Sequence, residues 1–117
     1  MSKKVLKLTE DTINNFLSKN QFAVIDFWNP MCGPCNELAP VFQELAEEYS
    51  QVCAFGKMNV GKDGGLDPSL RQKYLDNQGV PVLLFFKDGK RVDRILGYYK
   101  DETPQKIRRI IEKNFQQ

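Results

Sequence analysis

Three observations predict an α/β fold built on a central mixed sheet. Strand-like and helix-like patterns alternate along most of the chain. The run Phe22 to Trp28 (FAVIDFW) is β-branched and aromatic on both faces, as a strand covered on both sides must be. Near the C-terminus, Asp88-Gly89 joins two extended runs, the strongest short hairpin signal in the sequence, ahead of a last amphipathic stretch. The order read from these patterns is β-α-β-α-β-α-β-β-α, five strands and four helices in one domain over residues 1–117. A parallel unit built on crossovers is followed by an antiparallel hairpin and a covering helix.

Each element has its own local cause. Val5 to Leu8 is a short extended run. Thr9 then offers an N-cap, Glu10 and Asp11 place negative charge in a first turn, and Ile13, Phe16 and Leu17 supply a helical face. After the strand at Phe22–Trp28 and a turn over Pro30 to Pro34, Leu38, Val41, Phe42, Leu45, Ala46 and Tyr49 repeat at helical spacing. Pro40 falls inside that helix, where it deprives the Asn36 carbonyl of its partner and should kink the axis. Val52 to Val60 reads as the next strand, and Gly61 to Asp67 (GKDGGLD) as a flexible loop. Asp67-Pro68 is an N-cap followed by proline at the first helical position, opening a helix to about Leu75. Pro81–Lys87 and Arg91–Leu96 form the hairpin arms, with Phe85 and Phe86 as core and cover. Thr103-Pro104 caps a last helix with Ile107, Ile110, Ile111 and Phe115 on one face.

Composition narrows the chemistry. At 117 residues the chain can bury roughly 65% of its unfolded surface, enough for a core without metal or disulfide staples. Seventeen basic and fifteen acidic side chains leave a net charge of +2, too even for a protein defined by nucleic acid or an anionic membrane. No run approaches the ~20 apolar residues of a membrane span, and the N-terminal MSKKVLKLTED has no apolar core of a secretory signal. Most restrictive is the absence of histidine, which excludes a Ser-His-Asp triad, a Cys-His pair and a histidine-ligated zinc site. Against it stand three cysteines, Cys32, Cys35 and Cys53, an odd number that fits a reducing cytoplasm better than a disulfide framework.

Cys32-Gly33-Pro34-Cys35 carries the chemistry. Taken alone, the spacing serves zinc and redox sites equally, but zinc would need further ligands and only Cys53 remains. The motif sits between a buried strand and a long helix, the placement of a redox dithiol. At or just before the helix start, Cys32 meets unsatisfied N–H groups and the positive end of the helix dipole, which favour its thiolate. Pro34 suits the first turn because the N–H it lacks would be orphaned there. Cys35, three residues on, returns to within disulfide reach in a shielded position. Two thiols of different exposure and acidity are what an attacking and a resolving cysteine require.

With these residues in view, the chain resembles the thioredoxin family. Asp26-Phe27-Trp28, Cys32-Gly33-Pro34-Cys35, Pro40, Val80-Pro81 and Gly97 match that family in identity, order and approximate spacing over essentially the whole chain. The resemblance implies a thioredoxin fold, with Cys32 as nucleophile, Cys35 as resolving thiol, a Cys32–Cys35 disulfide in the oxidised form, and Pro81 as a cis-proline beside it. It also sharpens Asp26. That residue is either a carboxylate satisfied by hydrogen bonds in an apolar strand or a desolvated acid that exchanges a proton with Cys35, and the resemblance implies the second. Lys57 matches the family lysine that lies near this aspartate and modulates it, while Trp28 matches a residue packed on the active-site loop. Cys53 reads as a small buried hydrophobe.

The function implied is a cytoplasmic protein-disulfide reductase, monomeric, with no metal and no cofactor of its own. Its partners are disulfide-containing target proteins, and a separate thioredoxin reductase, either an NADPH-dependent flavoprotein or ferredoxin-linked, since this chain carries no flavin or nicotinamide fingerprint. Docking is expected on the apolar rim of Met31, Gly33, Pro34, Val80, Pro81 and Gly97. Other readings of the same residues are a redox-sensitive binding module, a zinc-binding structural protein, and a disulfide oxidase or isomerase. Met31, Asn36 and Val82 depart from the family's usual tryptophan, basic residue and threonine, and the loop around Gly61 to Gly65 is several residues longer than in the compact bacterial form. These departures alter the docking surface and leave the dithiol and the acid intact.

Overall fold

The computed structural model describes residues 4–116; the remaining positions of the predicted 1–117 span lie outside the described residues. Eleven elements follow in order: β1 (Val5–Leu8), α1 (Ile13–Lys19), β2 (Phe22–Trp28), α2 (Gly33–Glu48), β3 (Ala54–Asn59), β4 (Gly61–Lys62), β5 (Gly65–Leu66), α3 (Pro68–Leu75), β6 (Val82–Lys87), β7 (Lys90–Leu96) and α4 (Thr103–Asn114). Five strands form one mixed sheet in the order β1-β3-β2-β6-β7. β3 runs parallel to β1 and β2, whereas β2–β6 and β6–β7 are antiparallel. Among the described residues no helix is long and apolar enough to cross a membrane.

Alternation along β2 sorts its side chains onto two faces. Phe22 and Val24 join Leu38, Phe42 and Leu45 of α2 and Ile107 and Ile111 of α4 in one buried cluster. Ala23, Ile25 and Phe27 join Ile13 and Phe16 of α1 and Leu70 and Leu75 of α3 in the other. Each buried Leu, Ile or Phe adds about 1.5–3 kcal/mol, so both faces of the central strand are strongly committed. Asp26 has the parity of Phe22 and Val24, which turns it toward the side covered by α2. Charged residues concentrate on the edge strand β7, where only Ile95 is buried, an arrangement that blunts edge-to-edge pairing.

The structure corrects the sequence reading at three places. The expected loop at Gly61 to Asp67 is a two-stranded hairpin, β4–β5, closed by Asp63 and Gly64 with φ of 53° and 83°. This is the positive-φ turn that Asp88-Gly89 also makes (54° and 78°), built here on strands too short to show alternation. Helix α1 begins at Ile13 rather than directly after Thr9, because Thr9 and Thr12 first close a separate turn through Thr9 N–H to Thr12 Oγ1 (2.9 Å). Thr103 lies inside α4, with Glu102 at the cap, and its buried hydroxyl accepts the Tyr99 N–H (2.8 Å). By contrast α3 opens as expected: an Asp67 carboxylate oxygen accepts from Ser69 N–H (2.9 Å) and Leu70 N–H (3.3 Å).

Candidate active site

β2 ends at Trp28, and a short turn carries the chain into α2. Within it the Asn29 carbonyl accepts the Cys32 N–H (3.0 Å) and the Asn29 side-chain oxygen accepts the Met31 N–H (2.8 Å). Cys32 is the N-cap of the sixteen-residue α2, in an extended conformation, and its sulfur accepts the Cys35 N–H (3.1 Å). Pro34 occupies the first turn and Pro40 lies within the helix. Cys32 and Cys35 are paired as a disulfide across a Cα–Cα distance of 5.2 Å. Their environments differ: Cys32 is partly exposed, while Cys35 is 2% exposed. A thiolate on Cys32 would retain the Cys35 N–H and the helix dipole as stabilising partners.

Beneath Cys35 lies Asp26, buried, with one carboxyl oxygen that has no hydrogen-bond partner. Burial pushes its pKa up to about 7, and the charge of Lys57 pulls against that rise. Lys57 is the residue paired with Asp26 in the parallel β2–β3 register, so both side chains leave the sheet on the same face. Its amine stands 5.1 Å from the centroid of the Trp28 ring. Asp26, Trp28, Cys35 and Lys57 together border a cavity of about 40 Å³. That volume is enough for one water molecule.

The rim is assembled from distant segments. The Val80–Pro81 peptide bond is cis, and the Val80 carbonyl oxygen is 3.7 Å from the Cys32 sulfur. Gly97, at φ 78°, donates its N–H to the Pro81 carbonyl (2.9 Å). Gly33 and Pro34 are exposed at the helix start, and Met31 is 83% exposed. Cys53 is elsewhere: it precedes β3 at the opposite end of the sheet, buried, with its thiol pushed up to about 12 by burial. Sequence reasoning missed two residues here. Asn29 is a buried amide whose signal was its place between an apolar strand and the dithiol turn. Tyr99, 61% exposed, packs its ring beside Gly97, where an added Cβ would press against it at 3.3 Å.

Comparison with known proteins bears on this arrangement. The family model described as Thioredoxin matches residues 4–113. The chain belongs to the thioredoxin family. It is similar to thioredoxin of Staphylococcus saprophyticus, 33% identical over 111 residues, covering 94% of this chain and 97% of that one. It is 36% identical over 102 residues to the chloroplastic M-type thioredoxin of Spinacia oleracea; the match covers 86% of this chain but 54% of the spinach protein, about half its length. Among solved structures, a mutant thioredoxin from Halobacterium salinarum aligns with a TM-score of 0.77 at 27% identity, covering 100% of this chain and 97% of the other. The five-stranded mixed sheet with four helices is therefore a thioredoxin fold. With its Cys-x-x-Cys pair, this thioredoxin-family chain is a thiol–disulfide oxidoreductase.

Proposed function

We propose that this chain works as a protein-disulfide reductant in which Cys32 attacks and Cys35 resolves. The observation that carries the reading is the asymmetry of the pair, a partly exposed sulfur capping a long helix beside a sulfur buried above an aspartate. The Cys32 thiolate forms a bond to one sulfur of an exposed target disulfide, and the other target sulfur leaves as a thiolate and takes a proton from solvent. Cys35 then attacks the Cys32 sulfur, and the second target sulfur leaves. The target gains two electrons and the chain is left as the Cys32–Cys35 disulfide.

Asp26 accepts the Cys35 proton during the second step, as a carboxyl with a pKa of about 7 is suited to do near neutral pH. Lys57 sets where in the pH range it does so. Target backbone docks in extended form beside Val80, over the rim of Met31, Gly33, Pro34, Pro81 and Gly97. The oxidised pair is returned to the dithiol by a reductase, an NADPH-dependent flavoprotein or a ferredoxin-linked enzyme. Three cysteines without a framework support a reducing cytoplasm as the compartment, and the chain acts as one monomeric domain.

The test combines turnover with trapping. Wild type should reduce insulin when supplied with one of the two reductase types, and Cys35→Ser should accumulate mixed disulfides through Cys32. Turnover by wild type with no covalent capture by Cys35→Ser would overturn Cys32 as the attacking residue. A measured reduction potential decides direction, since ~30 mV is tenfold in a two-electron couple. A value near that of a strong periplasmic oxidant would overturn the reductant reading.

A further inference from the structure

Resting on the reductant reading, we infer that the β4–β5 hairpin is a selectivity wall that favours targets with an apolar residue beside the attacked cysteine. The hairpin does not stand free. The Asn29 side-chain amide donates to the Gly65 carbonyl (3.3 Å) while its oxygen holds the Met31 N–H (2.8 Å), so a single buried side chain ties the hairpin to the dithiol turn. The approach is close enough that a Cβ on Gly61 would collide with the Asn29 amide. At its base, Asp67 N–H donates to the Val60 carbonyl (2.8 Å) and Gly61 N–H to the Asn59 side chain (2.9 Å).

Between hairpin and turn runs an open groove of about 210 Å³, walled by Met31, Leu66 and Val80, with the glycines of the hairpin along one side and Cys32 itself in the lining. Leu66 and Val80 are backed by the buried cluster on the α1–α3 face, so their exposed edges are held in place. The volume falls below the roughly 300–1,000 Å³ of small-molecule pockets and suits one side chain of a longer ligand. Its occupant follows from the chemistry: the groove is continuous with the sulfur that a target disulfide must reach. Polypeptide flanking the attacked cysteine therefore has to cross it. Three apolar walls would reward an aliphatic side chain there and would desolvate a carboxylate without a partner. Leu66 contacts the substrate, and Asn29 is a positioning residue that acts through the hairpin.

Two peptide disulfides, identical except for Leu or Asp on both sides of each cysteine, test the wall through the ratio of kcat/KM values. Wild type should favour the Leu peptide by about fivefold to tenfold, the scale of partial burial of one aliphatic side chain. Leu66→Ser should bring the ratio toward one and Leu66→Met should keep it. Asn29→Ala, which removes the donor to Gly65 without adding charge to the groove, should also flatten it. Equal rates for the two peptides with wild type would overturn the inference while leaving the reductant reading standing. A preference that survives both Leu66→Ser and Asn29→Ala would overturn it too, and reduction of neither peptide would sink both.

Discussion

Asp26 and Lys57 are register partners in the parallel β2–β3 pair, yet they inhabit different media: the carboxyl is 3% exposed with an unpartnered oxygen, while the amine reaches out over the ring of Trp28. The lysine charge acts on the acid across space and only partly offsets the burial that raises its pKa to about 7. A proton on Asp26 near neutral pH thus depends on the balance of two opposing effects, and each can be changed separately.

Removing the acid should change how stability depends on pH. The folded pKa of about 7 lies above the ordinary value of 3.8, so between them the native state binds more protons than the unfolded state. Stability contributed by the protonated form is complete below about pH 4 and is lost as pH rises through 7. Wild type should therefore lose on the order of 3 kcal/mol relative to Asp26→Asn between pH 4 and pH 8. Urea unfolding of both proteins, held in one redox state, measures this; parallel pH profiles would contradict it.

Lys57→Met removes the charge that lowers the Asp26 pKa, so that pKa should climb above about 7, with Lys57→Arg close to wild type. A carboxyl ¹³C NMR titration reads the shift directly. In turnover, the pH dependence of target release should move to the alkaline side by the same amount.

Cys53 should behave as an inert core residue. With its thiol pushed up to about 12, only about one molecule in ten thousand carries a thiolate at pH 8. In reduced native protein, mass spectrometry after brief alkylation should find a single modified site, Cys32, with Cys35 and Cys53 labelled only on unfolding. Cys53→Ala should leave insulin reduction unchanged and lower stability by about 1 kcal/mol.

Asp67→Ala should lower the unfolding free energy by about 1 kcal/mol, because its carboxylate satisfies two N–H groups at the start of α3. Asp67→Asn should fall within a few tenths of wild type. A drop in the urea midpoint with an unchanged slope is the expected signature.

Elements with strong local causes were legible in the residues. β2 coincides with the run FAVIDFW because a doubly buried strand must be apolar throughout, and α3 follows Asp67-Pro68 because cap and proline act within one turn. The β4–β5 hairpin was missed although Asp63-Gly64 repeats the signal of Asp88-Gly89. Two-residue strands show no alternation, and their support comes from Asn29, thirty-six positions away from Gly65. Asn29 has nothing in its local sequence that predicts its two hydrogen bonds, because one of them reaches a segment that only the fold brings near.

Much of the chemistry was thus already written in order and spacing: a dithiol at a helix start, an acid in an apolar strand, a proline and a glycine downstream. Whether these could act together was a matter of the fold. Strand parity and the parallel register set Asp26, Lys57 and Cys35 around one small cavity, and the protonation of Asp26 follows from desolvation and a charge contributed by residues far apart in the chain. Such effects sum over spatial neighbours, which no stretch of sequence contains, and so the α/β class could be read locally while the working state of the acid required the packed molecule.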